Sequence, residues 1–213
     1  MGTSVSSVEP DFTTPQEAFW AGDFGDRYSS RNTGDQWVAS NTALFSRVLT
    51  RSPQVSSVFE VGANIGLNVL ALQRLLPEAE IAGLEINNGA ADQLEKTGCT
   101  VFRGSALSFE PPRTYDFVFT KGVLIHISPE HLGDVYTLMH KASHRYIFLA
   151  EYYSPRAESV AYHGESERLF RRDFAGDLLD RFDDLQLVDA GFAYHRGSFP
   201  QDDLTWFLLE KTS

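Results

Sequence analysis

Cysteine, basic charge and long apolar runs are what this chain has little of. One cysteine among 213 residues, Cys99, rules out an internal disulfide and a zinc site built mainly from thiolates. A reducing, cytoplasmic setting is the expectation that goes with it. Lysine and arginine number 18 against 29 acids, for a formal net charge of −11. A polyanion meets net repulsion from such a surface, so nucleic acid and anionic membranes are poor partners, and a cationic or neutral small molecule fits better. No apolar run reaches the ~18 residues of a membrane span. Residues 1–11 have neither the basic start nor the apolar stretch of a signal peptide, and a disordered lead is expected over 1–13. Two nucleotide signatures are also missing. There is no G-x-G-x-x-G dinucleotide fingerprint and no G-x-x-x-x-G-K-[ST] phosphate loop.

What is present is 42% apolar and 13% aromatic, enough for one sizeable core. Residues 14–213 are expected to form a single domain, with a helical lid over 14–51 and a sheet core over 55–213. Thr14, followed by Pro15 and then Glu17, carries a helix-start signature. From Val55 strands and helices alternate. "SSVFEVG" is a strand, and "IGLNVLALQRLL" places Ile65, Val69, Leu72 and Leu76 on one helical face. "EIAGLEI", "CTVFRGSA", "YDFVFTKG" and "RYIFLAEYY" are further strands with helices between them; one helix opens at Ser128–Pro129. Such alternation implies a parallel α/β sheet with helices on both faces. "LQLVDAGFAYHR" and "LTWFLLEK" then follow with only a short link, which predicts an antiparallel pair at the sheet edge. The expected fold is Rossmann-like and seven-stranded, in the order 3-2-1-4-5-7-6, with strand 7 antiparallel. "GESERLFRRDF" reads mostly as charged surface, and Cys99 as a core residue.

In a doubly wound sheet the ligand sits beyond the carboxyl ends of the strands. Glu60, Gly62, Asn64 and Gly66 fall at the end of the first strand, and the glycines let backbone approach a ligand closely. Glu85 ends the second strand, where a carboxylate suits the two hydroxyls of a ribose. Glu60 would repel a pyrophosphate and attract an ammonium. A nucleoside bearing a cation and no phosphate is S-adenosylmethionine.

With those residues in view, the chain resembles the class I S-adenosylmethionine-dependent methyltransferases over about residues 55–150. "EVGANIG" is similar to their first motif, with Asn64 in place of the middle glycine. "GLEIN" resembles the ribose motif (Glu85, Ile86). "RGSAL" resembles the adenine motif (Ser105, Ala106). "YDFVFTKGVLIHIS" resembles the fourth motif, which sets Lys121, Gly122 and Val123 beneath the cofactor. "FWAGDFGDRYSSRN", "EYY", "LFRRDFAGDLLDRF" and "GFAYHRGSFPQDDLTWFLLEK" further resemble the pseudaminic-acid-biosynthesis-associated methylases. That likeness implies a small polar metabolite as acceptor.

In the lid, Trp20, Tyr28 and Arg31 are expected to reach the cofactor, with Arg31 pairing its carboxylate; the alternative is an ordinary helix with Phe19 and Trp20 as core. His126, Glu151 and Tyr153 are the candidate catalytic residues. Tyr152, Tyr162, His195 and Asp202 are candidates for holding the acceptor. For His126 the competing reading is a packing histidine, and for His195 and Asp202 it is loop solvation. A pocket rich in Glu, Asp and Tyr points to N-methylation of an amino, amidino or guanidino group on a sugar- or nucleoside-like compound. O-methylation of a sugar hydroxyl with His126 as base is the alternative, and a cofactor-binding protein without catalysis is another. A nicotinamide oxidoreductase fits poorly without the pyrophosphate fingerprint.

Overall fold

The computed structural model describes the backbone of residues 12, 14–31, 34–162 and 165–212, and their side chains except at 30, 31, 161, 162 and 165–168. The lead expected over 1–13 thus lies, residue 12 apart, outside the described residues, as do the side chains of Arg31 and Tyr162.

Three helices come first: α1 (Pro15–Ala21), α2 (Asp23–Arg31) and α3 (Asp35–Leu49). The alternating part follows as β1 (Ser57–Val61), α4 (Leu67–Leu75), β2 (Glu80–Glu85), α5 (Asn88–Glu95), β3 (Thr100–Arg103), β4 (Tyr115–Lys121), α6 (Leu132–Ala142) and β5 (Ser143–Glu151). The remainder is β6 (Glu158–Tyr162), β7 (Glu165–Arg171), α7 (Phe174–Arg181), β8 (Leu185–Ala193) and β9 (Leu204–Lys211). Seven strands form one sheet in the order β3-β2-β1-β4-β5-β9-β8. β1 to β5 are mutually parallel, and β9 runs antiparallel to both β5 and β8. This is the expected topology, with the last two sheet strands numbered later because a separate hairpin precedes them.

That hairpin, β6–β7, corrects one expectation. The run read as charged surface is a strand whose Leu169 and Phe170 are buried. The helix expected from Ser128 starts instead at Leu132, because a 3-10 turn at Leu124–His126 takes up the chain after β4.

The sheet residues alternate between two cores, as a strand's period of two requires. Phe117 and Phe119 pack with Phe45 of α3 and Leu72 of α4 on one face, while Val118 and Phe59 pack with α6 and α7 on the other. α1 forms for the reason its sequence suggests: the Thr14 hydroxyl accepts from the Glu17 N–H at 3.1 Å, and the Glu17 carboxylate accepts from the Thr14 N–H at 2.7 Å. Gly22 ends α1, and the chain resumes as α2 over the carboxyl ends of β1 and β2.

Candidate functional site

A cavity of about 230 Å³ lies at the carboxyl ends of β1, β2, β3 and β4, roofed by α1 and α2. The strand ends deliver its floor. After β1 the chain turns sharply: Gly62, Asn64 and Gly66 all have positive φ, at 79°, 48° and 84°. At Gly62 a side chain would need this strained backbone and would also press its Cβ to 2.6 Å from Val123 Cγ2. The β1 turn and the β4 turn are therefore in direct contact there, and Gly62, Asn64, Gly122, Val123 and Lys121 all line the cavity.

Glu85, at the end of β2, lines it too and is buried. Its two oxygens accept from the N–H groups of Asn64 at 2.6 Å and Asn87 at 2.8 Å. Burial pushes its pKa up against the pull of those N–H donors. Ile86, Ser105 and Ala106 complete the floor, although the Ser105 hydroxyl also accepts from the Leu107 N–H at 3.0 Å.

On the roof, Trp20 and Tyr28 line the cavity, their ring centroids 5.3 Å apart and edge to face. Trp20 also packs on His126, with centroids at 4.6 Å. His126 and Asp202 are cavity residues as well. Asp202 arrives from the loop before β9, which reaches this edge because β9 runs against its neighbours.

Six expected residues stand elsewhere. Gly66 lies behind the cavity, where a Cβ would meet Leu94 and Thr97 of the α5 region at 2.8 Å, so its smallness serves helix packing. Glu60 is buried beneath the floor, with Oε1 accepting from Asn68 Nδ2 at 2.6 Å and Oε2 without a partner. Glu151 is also buried and is not a wall residue. Its carboxylate accepts from the N–H groups of Val123 at 3.1 Å, Leu124 at 3.2 Å and Ile125 at 3.5 Å, and so holds the 3-10 turn that carries His126. Tyr152 packs in the core under Arg171, whose guanidinium is 5.6 Å from its ring. Tyr153 is 41% exposed and leans on Phe207. His195 is exposed and closes the β8–β9 loop through Asp203, at 2.8 Å.

Several wall residues were not anticipated, among them Trp37, Asn41, Asn68 and Asn87. The signal was in the sequence as two spacings of four, Asn64 to Asn68 and Trp37 to Asn41. The second of these spacings sets its pair on one side of α3. Asn87 caps α5 and ties the roof to the floor: its Nδ2 donates to Asp26 at 2.8 Å and to the carbonyls of Trp20 and Ala21 at 3.3 Å. Ser29 adds a second tie to Asn64, at 2.8 Å.

The buried charges are unusual. Burial pushes the Glu60 carboxyl up to about 8 and the Glu151 carboxyl up to about 7. Burial pushes the Lys121 ammonium down, while Asp202, Glu60 and Glu151 pull it back up. Among the described residues, no group of three or more His, Cys, Asp or Glu could hold a metal ion.

The topology and the site at its edge define a Rossmann-like fold of the kind found in methyltransferases of known structure. No known family profile matches the sequence, and no curated protein matches it either. Among solved structures, the glycopeptide N-methyltransferase MtfA complexed with S-adenosyl-L-homocysteine superposes with a TM-score of 0.63 at 15% identity, over 81% of this chain and 89% of its own. DesVI of Streptomyces venezuelae gives 0.66 at 13%, over 90% and 99%. The plantazolicin methyltransferase BpumL, in complex with S-adenosyl-L-homocysteine, gives 0.63 at 14%, over 93% and 94%. At such identities the likeness establishes the fold.

Proposed function

We propose that the protein is an S-adenosylmethionine-dependent methyltransferase that N-methylates an amino, amidino or guanidino group of a small sugar- or nucleoside-like metabolite. The carrying observation is that the glycine turn of β1, the Glu85 carboxylate and Ser105 all open on one cavity. The residues fit the cofactor. Glu85 and Ile86 suit a ribose, Ser105 and Ala106 an adenine. Asn68, which lines the cavity beside the turn and has its Oδ1 without a partner, suits an ammonium. When bound, the cofactor supplies a methyl group on a sulfonium.

The chain's own groups then bind and orient the acceptor. Trp20, Tyr28 and His126 make an aromatic wall with negative ring faces, which favours a cation. Asp202 adds an anion at the rim, where it is exposed. Glu151 acts through the turn it holds, keeping His126 against Trp20, and is a positioning residue in this reading. Helices α1 to α3 serve as the lid of a single domain, and the lone cysteine suits a reducing cytoplasm. The glycopeptide N-methyltransferase MtfA has this fold, which supports N-methylation, and the sequence resemblance to the pseudaminic-acid-biosynthesis-associated methylases supports a small polar acceptor.

Calorimetric titration tests the cofactor: S-adenosylmethionine should bind and NAD should not. A mass-spectrometric screen of amino sugars, amidines and guanidines should then find an acceptor that gains one methyl group. Binding of NAD in place of S-adenosylmethionine would overturn the reading, and methylation confined to hydroxyl acceptors would replace its N-methyl part.

A further inference from the structure

One side chain in the cavity has no structural task. Lys121 ends β4, lines the cavity, and makes no hydrogen bond or ion pair among the described residues. It is also the only Lys or Arg among the described wall residues. A lysine of this kind normally finds a carboxylate or reaches bulk water, because an unpaired ammonium away from solvent is costly.

Its surroundings are ordered along the sheet. The strands β1, β4, β5 and β9 are consecutive neighbours, and at the cavity or buried beneath it each brings one ionisable group. These are Glu60 at the end of β1, Lys121 at the end of β4, Glu151 at the end of β5, and Asp202 just before β9. His126 faces the same space from the 3-10 turn, and Glu17 and His131 line the wall further round. Glu60 and Glu151 are buried and partly occupied by other donors, whereas Asp202 is exposed. The row thus runs from a half-buried amine to a carboxylate in contact with water.

We propose that Lys121 is the general base of the reaction, taking a proton from an ammonium acceptor and passing it to solvent by way of Asp202. The assignment rests on the N-methyltransferase reading above and deepens it. The balance is simple. An N–H bond of the acceptor ammonium breaks and an Nζ–H bond forms, which frees the nitrogen lone pair. That lone pair then forms the new N–C bond as the methyl leaves the sulfonium. The Lys121 proton leaves through Asp202 and water. Burial already weakens the hold of Nζ on its proton, and the neighbouring Glu60 and Glu151 carboxyls are themselves pushed toward the neutral acid, so less negative charge retains it.

One consequence needs no acceptor. In a cavity of about 230 Å³ any bound cation lies well within a Debye length of Nζ. A sulfonium therefore pushes Lys121 toward the neutral amine, a push that the thioether of S-adenosylhomocysteine does not supply. Both ligands carry the same amino and carboxylate groups, so the difference between them isolates the sulfonium. The experiment is titration calorimetry with each ligand in buffers of different ionisation enthalpy, near pH 7.5. S-adenosylmethionine should release more protons per site than S-adenosylhomocysteine. Lys121→Met should abolish that excess while leaving S-adenosylhomocysteine affinity within a few-fold. Lys121→Arg keeps a permanent charge at the same place and should also show no excess, which preserves the test if the methionine variant folds poorly.

Equal proton release with both ligands, or an excess that survives Lys121→Arg, would overturn the assignment. So would a large loss of affinity for both ligands in a folded Lys121→Met, which would make Lys121 a partner of the ligand carboxylate. If S-adenosylmethionine did not bind at all, the functional reading would fall and the assignment with it.

Discussion

At Glu60 and Glu151 the chain keeps two carboxyl groups where neither has water to ionise into. Both are held above the 4.5 of a free glutamate, at about 8 and about 7. A raised carboxyl binds its proton more tightly in the folded state than in the unfolded one. Its contribution to stability is therefore complete below about 4.5 and is lost as pH rises through the folded values. The ligand-free protein should lose stability from about pH 5 to pH 8, by on the order of a few kcal/mol. Denaturant unfolding at a series of pH values measures this. Glu60→Gln keeps an oxygen for Asn68 and should flatten the curve, and a variant with the parent's slope would show that Glu60 titrates normally. Glu85 is also pushed up by burial, against the backbone N–H groups from which both its oxygens accept. Each charge-assisted bond to a ribose is worth about 1.5–3 kcal/mol. Glu85→Ala should weaken S-adenosylmethionine binding at least tenfold, and unchanged affinity in a folded variant would remove Glu85 from the site.

The roof is an element-scale matter. α1 and α2 are joined at Gly22 and tied to the floor by Asn87 and Ser29. The partners of those ties, Asn87 and Asn64, are the residues whose N–H groups hold Glu85. Ligand at Glu85 and closure of the roof thus share two residues. Amide exchange over residues 15–31 should slow when S-adenosylmethionine is added. Asn87→Ala should speed it in the ligand-free protein. Equal protection in all three states would make these helices a fixed wall. Here the limits of the sequence are plain. The Thr14–Glu17 capping box is local and was legible at sight. So were the strand order and the glycine turn, because periodicity and punctuation carry them. The Asn87 ties join residues more than sixty positions apart, and no local pattern announces them. Glu151 misleads for a related reason: its place at a strand end was readable, but the three N–H groups that claim it come from a different strand's turn. The β6–β7 hairpin went unseen because its charges mask the alternation around Leu169.

At the scale of the whole molecule the dominant quantity is the net charge of −11. S-adenosylmethionine carries one more positive charge than S-adenosylhomocysteine, so the field of the protein favours the former. Salt screens that field, with a Debye length falling from about 30 Å at 0.01 M to about 3 Å at 1 M. The preference for S-adenosylmethionine over S-adenosylhomocysteine should therefore shrink severalfold as salt rises across that range. A constant ratio would mean that only the nearest groups, Asp202 among them, set the discrimination.

One contact also bears on how the molecule comes into being. Gln201 Nε2 donates to Asn41 Oδ1 at 3.0 Å, buried and 160 positions away in the chain. The loop that presents Asp202 is fastened to α3 by this bond. During synthesis, Asn41 leaves the ribosome long before Gln201 exists, by roughly ten to thirty seconds at ~5–20 residues per second. Only late in that interval, once β4 has been made, are the residues of roof and floor both present, and the rim that carries Asp202 is still missing. A nascent chain halted before β9 would hold the glycine turn and Glu85 but not a finished enclosure, which is completed only when the last strand docks.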